Sequence, residues 1–318
     1  MATGWGTPAD GRSLEESTFP GGAAARRDEV GWVLADVRPH RALGSALVWA
    51  DHAGVDQLHL LVDDHAGLLA RRATAFEAPP TVWRVLDGGA VVVVGAEPVA
   101  ERSPLAPEVA AFASRMIEAG ADVVVEDGIL RGEVLGLEVA RVVVDDDRTR
   151  LEIGVGHHDR EAQRMLQGEE PTVAALAAAV TAVRNLRRAD APSHPMNQLA
   201  QERWLRTVVV ARPEMTGAAE LTPVASTMRP DDLRQASPAA AVGVDGEGRP
   251  VIVVCSTGID LDLVPVAADV RLADPRPDVR LILLVPEPDA HPVTHQLAAR
   301  LTHPAQVVTV PDDWKSRR

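Results

Sequence analysis

The chain has 318 residues, 46% of them hydrophobic, enough for two ordinary domains or one large one. Its formal net charge is −14, and a binder of phosphate backbones carries a basic face, so nucleic acid is not expected as the main partner. No run approaches the roughly eighteen apolar residues of a membrane span, the N-terminus has no secretory pattern, and the single Cys255 excludes an internal disulfide, a cysteine zinc cluster or a CxxC motif; a soluble, cytoplasmic protein without a membrane partner is expected.

Residues 1–28 are rich in Gly, Pro, Ser and charge and read as a disordered leader. Val30, Val33, Leu34 and Val37 recur at helical spacing, and Pro39 restarts the chain as a second helix with Leu43, Leu47 and Ala50 on one face, capped by Gly54. QLHLLVDD, GLLARRATAF and TVWRVL then make a β-α-β unit over 57–86, followed by the strand or hairpin arm AVVVVG. A helix over Pro107–Ala119 turns Val109, Phe112, Met116 and Ile117 inward. Three strands follow in ADVVVED, EVLGLEVARVVVD and TRLEIGVG, with Asp145–Asp147 as a turn.

Asp159 is placed to cap the helix REAQRML, and Pro171–Arg187 is a helix with Val173, Leu176, Ala177, Val180 and Val183 as its stripe. ADAPSHP opens a linker over 189–198, so the expected domains are 29–188 and 199–311, with a tail over 312–318. The second domain reads as a helix at Gln201–Ala211, a hairpin turning on Asp-Gly-Glu-Gly, a helix at Asp262–Arg271, then β-α-β. The fold class is therefore α/β or α+β. Residues 57–85 resemble 279–310, and 140–166 resemble 240–272, as an internal duplication with permuted element order would. The arginine-rich, lysine-poor composition with its Ala, Val, Gly and Pro load fits a GC-rich bacterial genome.

The order helix, hairpin, helix, strand, helix, strand over 200–310, with an echo in 106–187, resembles the core of the PD-(D/E)XK, restriction-endonuclease-like superfamily. The resemblance implies an acid on one hairpin strand and an acid-x-lysine on the next, holding Mg or Mn that activates water, with the lysine stabilising developing charge. In the C-terminal half Val254, Cys255 and Ser256 stand at the acid-x-lysine, and Ala240 stands near the first acid. In the N-terminal half Glu138 and Glu152 fall at the two acid positions, Gly154 replaces the lysine, and Arg141 or Arg150 is placed to neutralise the pair. Lys315 is the only lysine, so no lysine is expected inside the fold.

Two junctions carry other chemistry. In GVGHHDRE, His157, His158 and Asp159 are metal-ligand types just after Glu152, and a helix start offers free N–H groups to an anion; adjacent histidines on an extended segment would point apart. In CSTGID, Ser, Thr and Gly follow Cys255, without a P-loop or GxGxxG pattern. No GxSxG elbow is present, tyrosine is absent, and Trp83 and Trp204 read as core or interface residues. The leading expectation is a non-catalytic protein without a cofactor, acting through a protein partner or as a homo-oligomer. The alternatives are a Mg- or Mn-dependent phosphodiesterase or nuclease on Glu138 and Glu152 with His157 or His158, and a small-molecule phosphate binder at the loop after Gly154 or Cys255.

Overall fold

The computed structural model describes residues 14–99, 105–126, 128–145, 148–167, 171–190, 194–228 and 234–316. Helices and three sheets alternate along them, an α/β or α+β architecture. No helix among the described residues is long and apolar enough to cross a membrane.

The first sheet contains β1 (Glu15–Phe19), β2 (Gly22–Arg27), β3 (Val30–Ala35), β4 (Gln57–Val62), β5 (Thr81–Val85) and β6 (Val91–Val93), in that spatial order. The first three pair antiparallel, β3, β4 and β5 pair parallel, and β6 closes the edge antiparallel. Parallel neighbours need crossovers, supplied by α1 (Ala42–Ala53) and α2 (Ala66–Ala73). Two expectations change here. Residues 15–27, read as leader, are two strands; residues 1–13 lie outside the described part. The segment expected as a helix from Val30 is instead the strand Val30–Ala35: Gly31, Val33 and Ala35 are buried in alternation while β2 and β4 satisfy its backbone on both sides. Tertiary pairing overrides a short helical period. The expected cap holds, since Gly54 takes a left-handed φ of 65° after α1.

The second sheet is an antiparallel meander ordered β10-β9-β8-β7. It follows α3 (Pro107–Ala110) and α4 (Phe112–Glu118) and comprises β7 (Asp122–Glu126), β8 (Ile129–Val134), β9 (Leu137–Asp145) and β10 (Arg148–Ile153). α5 (Gly156–Gln167) and α6 (Val173–Leu186) come next. Met116 and Val109 are buried as expected, but Ile117 is 64% exposed. The run EVLGLEVARVVVD is two strands, because Leu135 and Gly136 both adopt positive φ and turn the chain. Gly136 is also required sterically: a Cβ there would lie 2.3 Å from the Arg203 carbonyl carbon.

The third sheet is ordered β11 (Ala218–Val224), β12 (Ala239–Asp245), β13 (Pro250–Cys255), β14 (Arg280–Pro286), β15 (Gln306–Val310). It is preceded by α7 (Gln201–Ala211), with α8 (Leu263–Leu272) and α9 (Pro292–Ala299) as its crossovers. β11, β12 and β13 pair antiparallel and β13 pairs parallel with β14. The element order β-β-β-α-β-α-β thus occurs twice, from β1 to β5 and from β11 to β15, so relating the two stretches needs no permutation.

The described residues divide into two compact units on lines the sequence does not announce. The first takes the chain up to Val99 plus 260–275 and 291–307; there α1 and α2 meet α8, and α9 meets α1 and α8. Asp269 of α8 is fully buried between Arg71 (2.7 and 3.1 Å) and Arg72 (3.2 Å). The second takes Ala100–Ile259, Arg276–Ala290 and Val308 onward, with one continuous apolar core from Val109 to Trp314. Residues 194–198, expected within a linker, lie inside it. The buried Arg187 donates to the carbonyls of Leu135, Met196, Leu199 and Ala200 and stacks 4.5 Å from the Trp204 ring. The expected tail is also tied down: Trp314 is buried, and Lys315 lies over Trp204 and Trp314 and bonds Gln201 at 2.8 Å. A lysine therefore does enter the fold.

Candidate functional site: an arginine-lined cleft

Alternation on strands puts every second side chain on one face. On β8 this aligns Arg131 with Glu133; on β9 Glu138 and Arg141, three residues apart, come to the same side because the register shifts between Gly132 and Glu133 and leaves β9 one extra residue there. The register places Arg131 opposite Arg141 and Glu133 opposite Glu138. Two arginines facing each other would repel, and Glu138 resolves this by binding both: Arg131 Nη1 donates to its Oε2 at 2.7 Å and Arg141 Nε to its Oε1 at 2.6 Å. A third guanidinium, Arg160 of α5, reaches the same Oε1 at 3.2 Å.

A second cluster joins α7 to the meander. Arg203 and Arg206, one helical turn apart, face the sheet together. Arg203 Nη2 donates to Glu126 at 2.7 Å, Arg206 Nη1 bonds the other oxygen of Glu126, and Arg206 Nη2 donates to Glu133 at 3.0 Å. Burial pushes Glu126 up, but Arg206, Arg203 and Arg131 win and hold it below the usual carboxylate range. Burial dominates at Glu133, with Glu126 and Glu138 adding repulsion against Arg206 and Arg203, so its pKa is raised.

Of these residues all but Glu133 and Arg206 border a cavity of about 710 Å³, the size of a small-molecule site. Among the described residues its wall includes Arg131, Arg141, Arg160, Arg203 and Arg234 against Glu126, Glu138 and Glu202, two more positive charges than negative, in a protein of net charge −14. Arg131 Nε is buried with no hydrogen-bond partner. Burial and neighbouring Arg141 lower the Arg160 pKa, against Glu138 and Glu152. Arginine retains its charge throughout the physiological range, so these guanidinium groups stay cationic.

No family model, curated protein or solved structure matches this chain.

The sequence-derived candidates are distributed as follows. Glu138 is at the centre of the cleft wall, buried and bound by three arginines. Glu152 accepts from Arg150 at 3.1 Å and pairs with Arg160 at 3.7 Å, so Arg160 bridges the two glutamates. Gly154 has φ 137°, and a Cβ there would come within 2.7 Å of the Arg160 backbone nitrogen, leaving no room for a lysine side chain. His157 and His158 are on α5 rather than on an extended segment, because the helix begins at Gly156. Asp159 accepts from the Val155 N–H at 2.7 Å, reaching back across the helix start as in a capping box. In the other junction, the Gly258 N–H is occupied by Asp289 Oδ2 at 2.7 Å, a carboxylate standing where a phosphate would. Cys255 is fully buried, and burial pushes its thiol up to about 12; such a thiol is inert.

Sequence reasoning missed Arg131, Arg160, Arg203, Arg206, Glu126 and Glu133. Their signal was present as RGE at 131–133, LEVAR at 137–141 and ERWLR at 202–206. Acid and base recur there at strand or helix spacing on elements that are otherwise apolar.

Proposed function

We propose that the second unit binds a small polyanionic molecule, bearing phosphate or carboxylate groups, in the cleft between β8, β9, α5 and α7. The carrying observation is the surplus of guanidinium groups over carboxylates among the described residues of the cavity wall, where Arg131 Nε makes no hydrogen bond and lies 3.9 Å from Glu126. Guanidinium forks bind phosphate and carboxylate in two-pronged fashion, and partial burial strengthens each such bond. Glu138 holds the forks apart and oriented without consuming all their donors. Thermal denaturation with inorganic phosphate, pyrophosphate and a short dicarboxylate, against chloride at matched ionic strength, tests this. Stabilisation by one of the polyanions beyond chloride, abolished in Arg141→Ala and Arg160→Ala, is expected; equal responses to every anion would overturn it.

A second reading, self-association, is favoured by β6. This strand ends the first sheet, and Val91, Val92 and Val93 are 44%, 43% and 59% exposed. Successive residues face opposite sides, so both faces of an uncharged edge strand are open, which proteins ordinarily prevent. Antiparallel pairing of β6 with its copy in a second chain would continue the sheet. Light scattering should show a dimer that Val92→Lys dissolves; a monomer at all concentrations refutes it. The order α7-β11-β12-β13-α8-β14, and the recurrence of β-β-β-α-β-α-β, support the endonuclease-like resemblance and an unpermuted duplication as readings of the fold. In the cleft, Glu138 has three arginine partners, an arrangement better suited to orienting those arginines than to ligating Mg or Mn.

A further inference from the structure

We propose that His157, His158 and Glu161 form a surface site for a divalent transition metal of the zinc class. All three lie on the first turns of α5, and each can offer one ligand atom, all within 4.8 Å of one another. His157 Nδ1 lies 3.4 Å from Glu161 Oε2, and His158 Nδ1 lies 4.0 Å from the same oxygen. Tetrahedral zinc, with bonds near 2.1 Å, separates neighbouring ligand atoms by about 3.4 Å. The His157–Glu161 pair already meets that spacing, and a small rotation of His158 closes the rest.

The chemistry selects the ion. Two imidazoles and one carboxylate suit zinc, nickel or copper, whereas magnesium prefers oxygen ligands alone. The side chains of His157 and His158 are 73% and 100% exposed, so an ion meets no barrier to entry and no cost of displacing buried contacts. Three protein ligands leave at least one position for water or an added ligand. Asp159 does not join, because its carboxylate is committed to the Val155 N–H. The spacing on the helix is the reason the set forms. Residues at i and i+4, and at i and i+3, share a helix face, so Glu161 serves both histidines although they adjoin in sequence.

His157 also borders the arginine cleft, but the metal site does not rest on anion binding there. The experiment is calorimetric titration of zinc into chelator-treated full-length protein without phosphate, with magnesium as control. One equivalent of zinc should bind and magnesium should not. Loss of an outer-shell partner alone typically weakens a metal site about tenfold or more, so Glu161→Gln should weaken zinc by at least that factor, and His157→Ala/His158→Ala should abolish it. These residues are exposed, and circular dichroism checks that the variants fold. Arg141→Ala should bind zinc like the wild type, which separates this site from the cleft. Absence of zinc binding, or binding unchanged in the double variant, overturns the proposal and leaves the trio as a surface ion pair.

Discussion

Glu138→Gln tests the logic of the cleft directly. The substitution keeps the shape of the side chain and removes the charge that holds Arg131, Arg141 and Arg160 together at 2.7, 2.6 and 3.2 Å. Removing one partner of a buried ion pair costs about 3–5 kcal/mol, because the remaining charges stay buried and unbalanced. Arg141 is 28% exposed and so partly solvated, which places the expected loss near the lower end, about 3 kcal/mol. For a unit of this size that corresponds to a fall in melting temperature of roughly 6–12 °C. An anion in the cleft should repair the damage by replacing the lost charge. At a concentration a hundred times its Kd, a ligand returns about 2.7 kcal/mol. Melting curves of wild type and variant, titrated with pyrophosphate against chloride at equal ionic strength, read both quantities. The variant should be less stable in chloride and respond to pyrophosphate more steeply than the wild type. A loss below about 1 kcal/mol, the range of exposed pairs, or equal rescue by chloride, would refute the reasoning.

Three further outcomes follow from other parts of the molecule. Burial, with Asp260 adding repulsion, pushes Asp262 up to about 7 despite Arg41 at 2.8 Å. Its folded pKa therefore exceeds the unfolded value near 3.9, the native state holds the extra proton, and stability falls as pH rises between the two, by at most about 4 kcal/mol. Asp262→Asn should remove that slope, gaining stability over wild type near pH 8 and losing the advantage near pH 4; parallel urea midpoints across this range would contradict it. Gly136→Ala combines a left-handed φ of 74° with a Cβ 2.3 Å from the Arg203 backbone, and should cost about 2–4 kcal/mol in denaturant titration. A loss under about 0.5 kcal/mol, the usual surface value, would mean that the β8–β9 turn yields freely. Cys255 should resist thiol reagents in the native protein and react at the unfolding rate; rapid native labelling would place it outside the core described.

Local pattern determined much of this protein. The mixed strand and helix class, the cap at Gly54, the β4-α2-β5 and β14-α9-β15 units and the stripe of α6 all follow from apolar period and turn residues, because each is settled by contacts close in sequence. Glu138 was visible as an acid on a strand. What it does there was not, since its partners come from β8, β9 and α5, and sequence spacing does not measure those distances. The same holds for β3, whose helical spacing lost to pairing with β2 and β4 on either side, and for residues 189–198, whose loop composition gave no sign of the Arg187 clamp that holds 196–200. The histidines changed role for a similar reason: α5 begins at Gly156 rather than at Arg160, and this earlier start converts an extended pair pointing apart into a helical set sharing Glu161. Backbone class is written locally, in period and punctuation. Which charges meet is decided by strand register and helix packing, and these exist only once the chain has closed on itself.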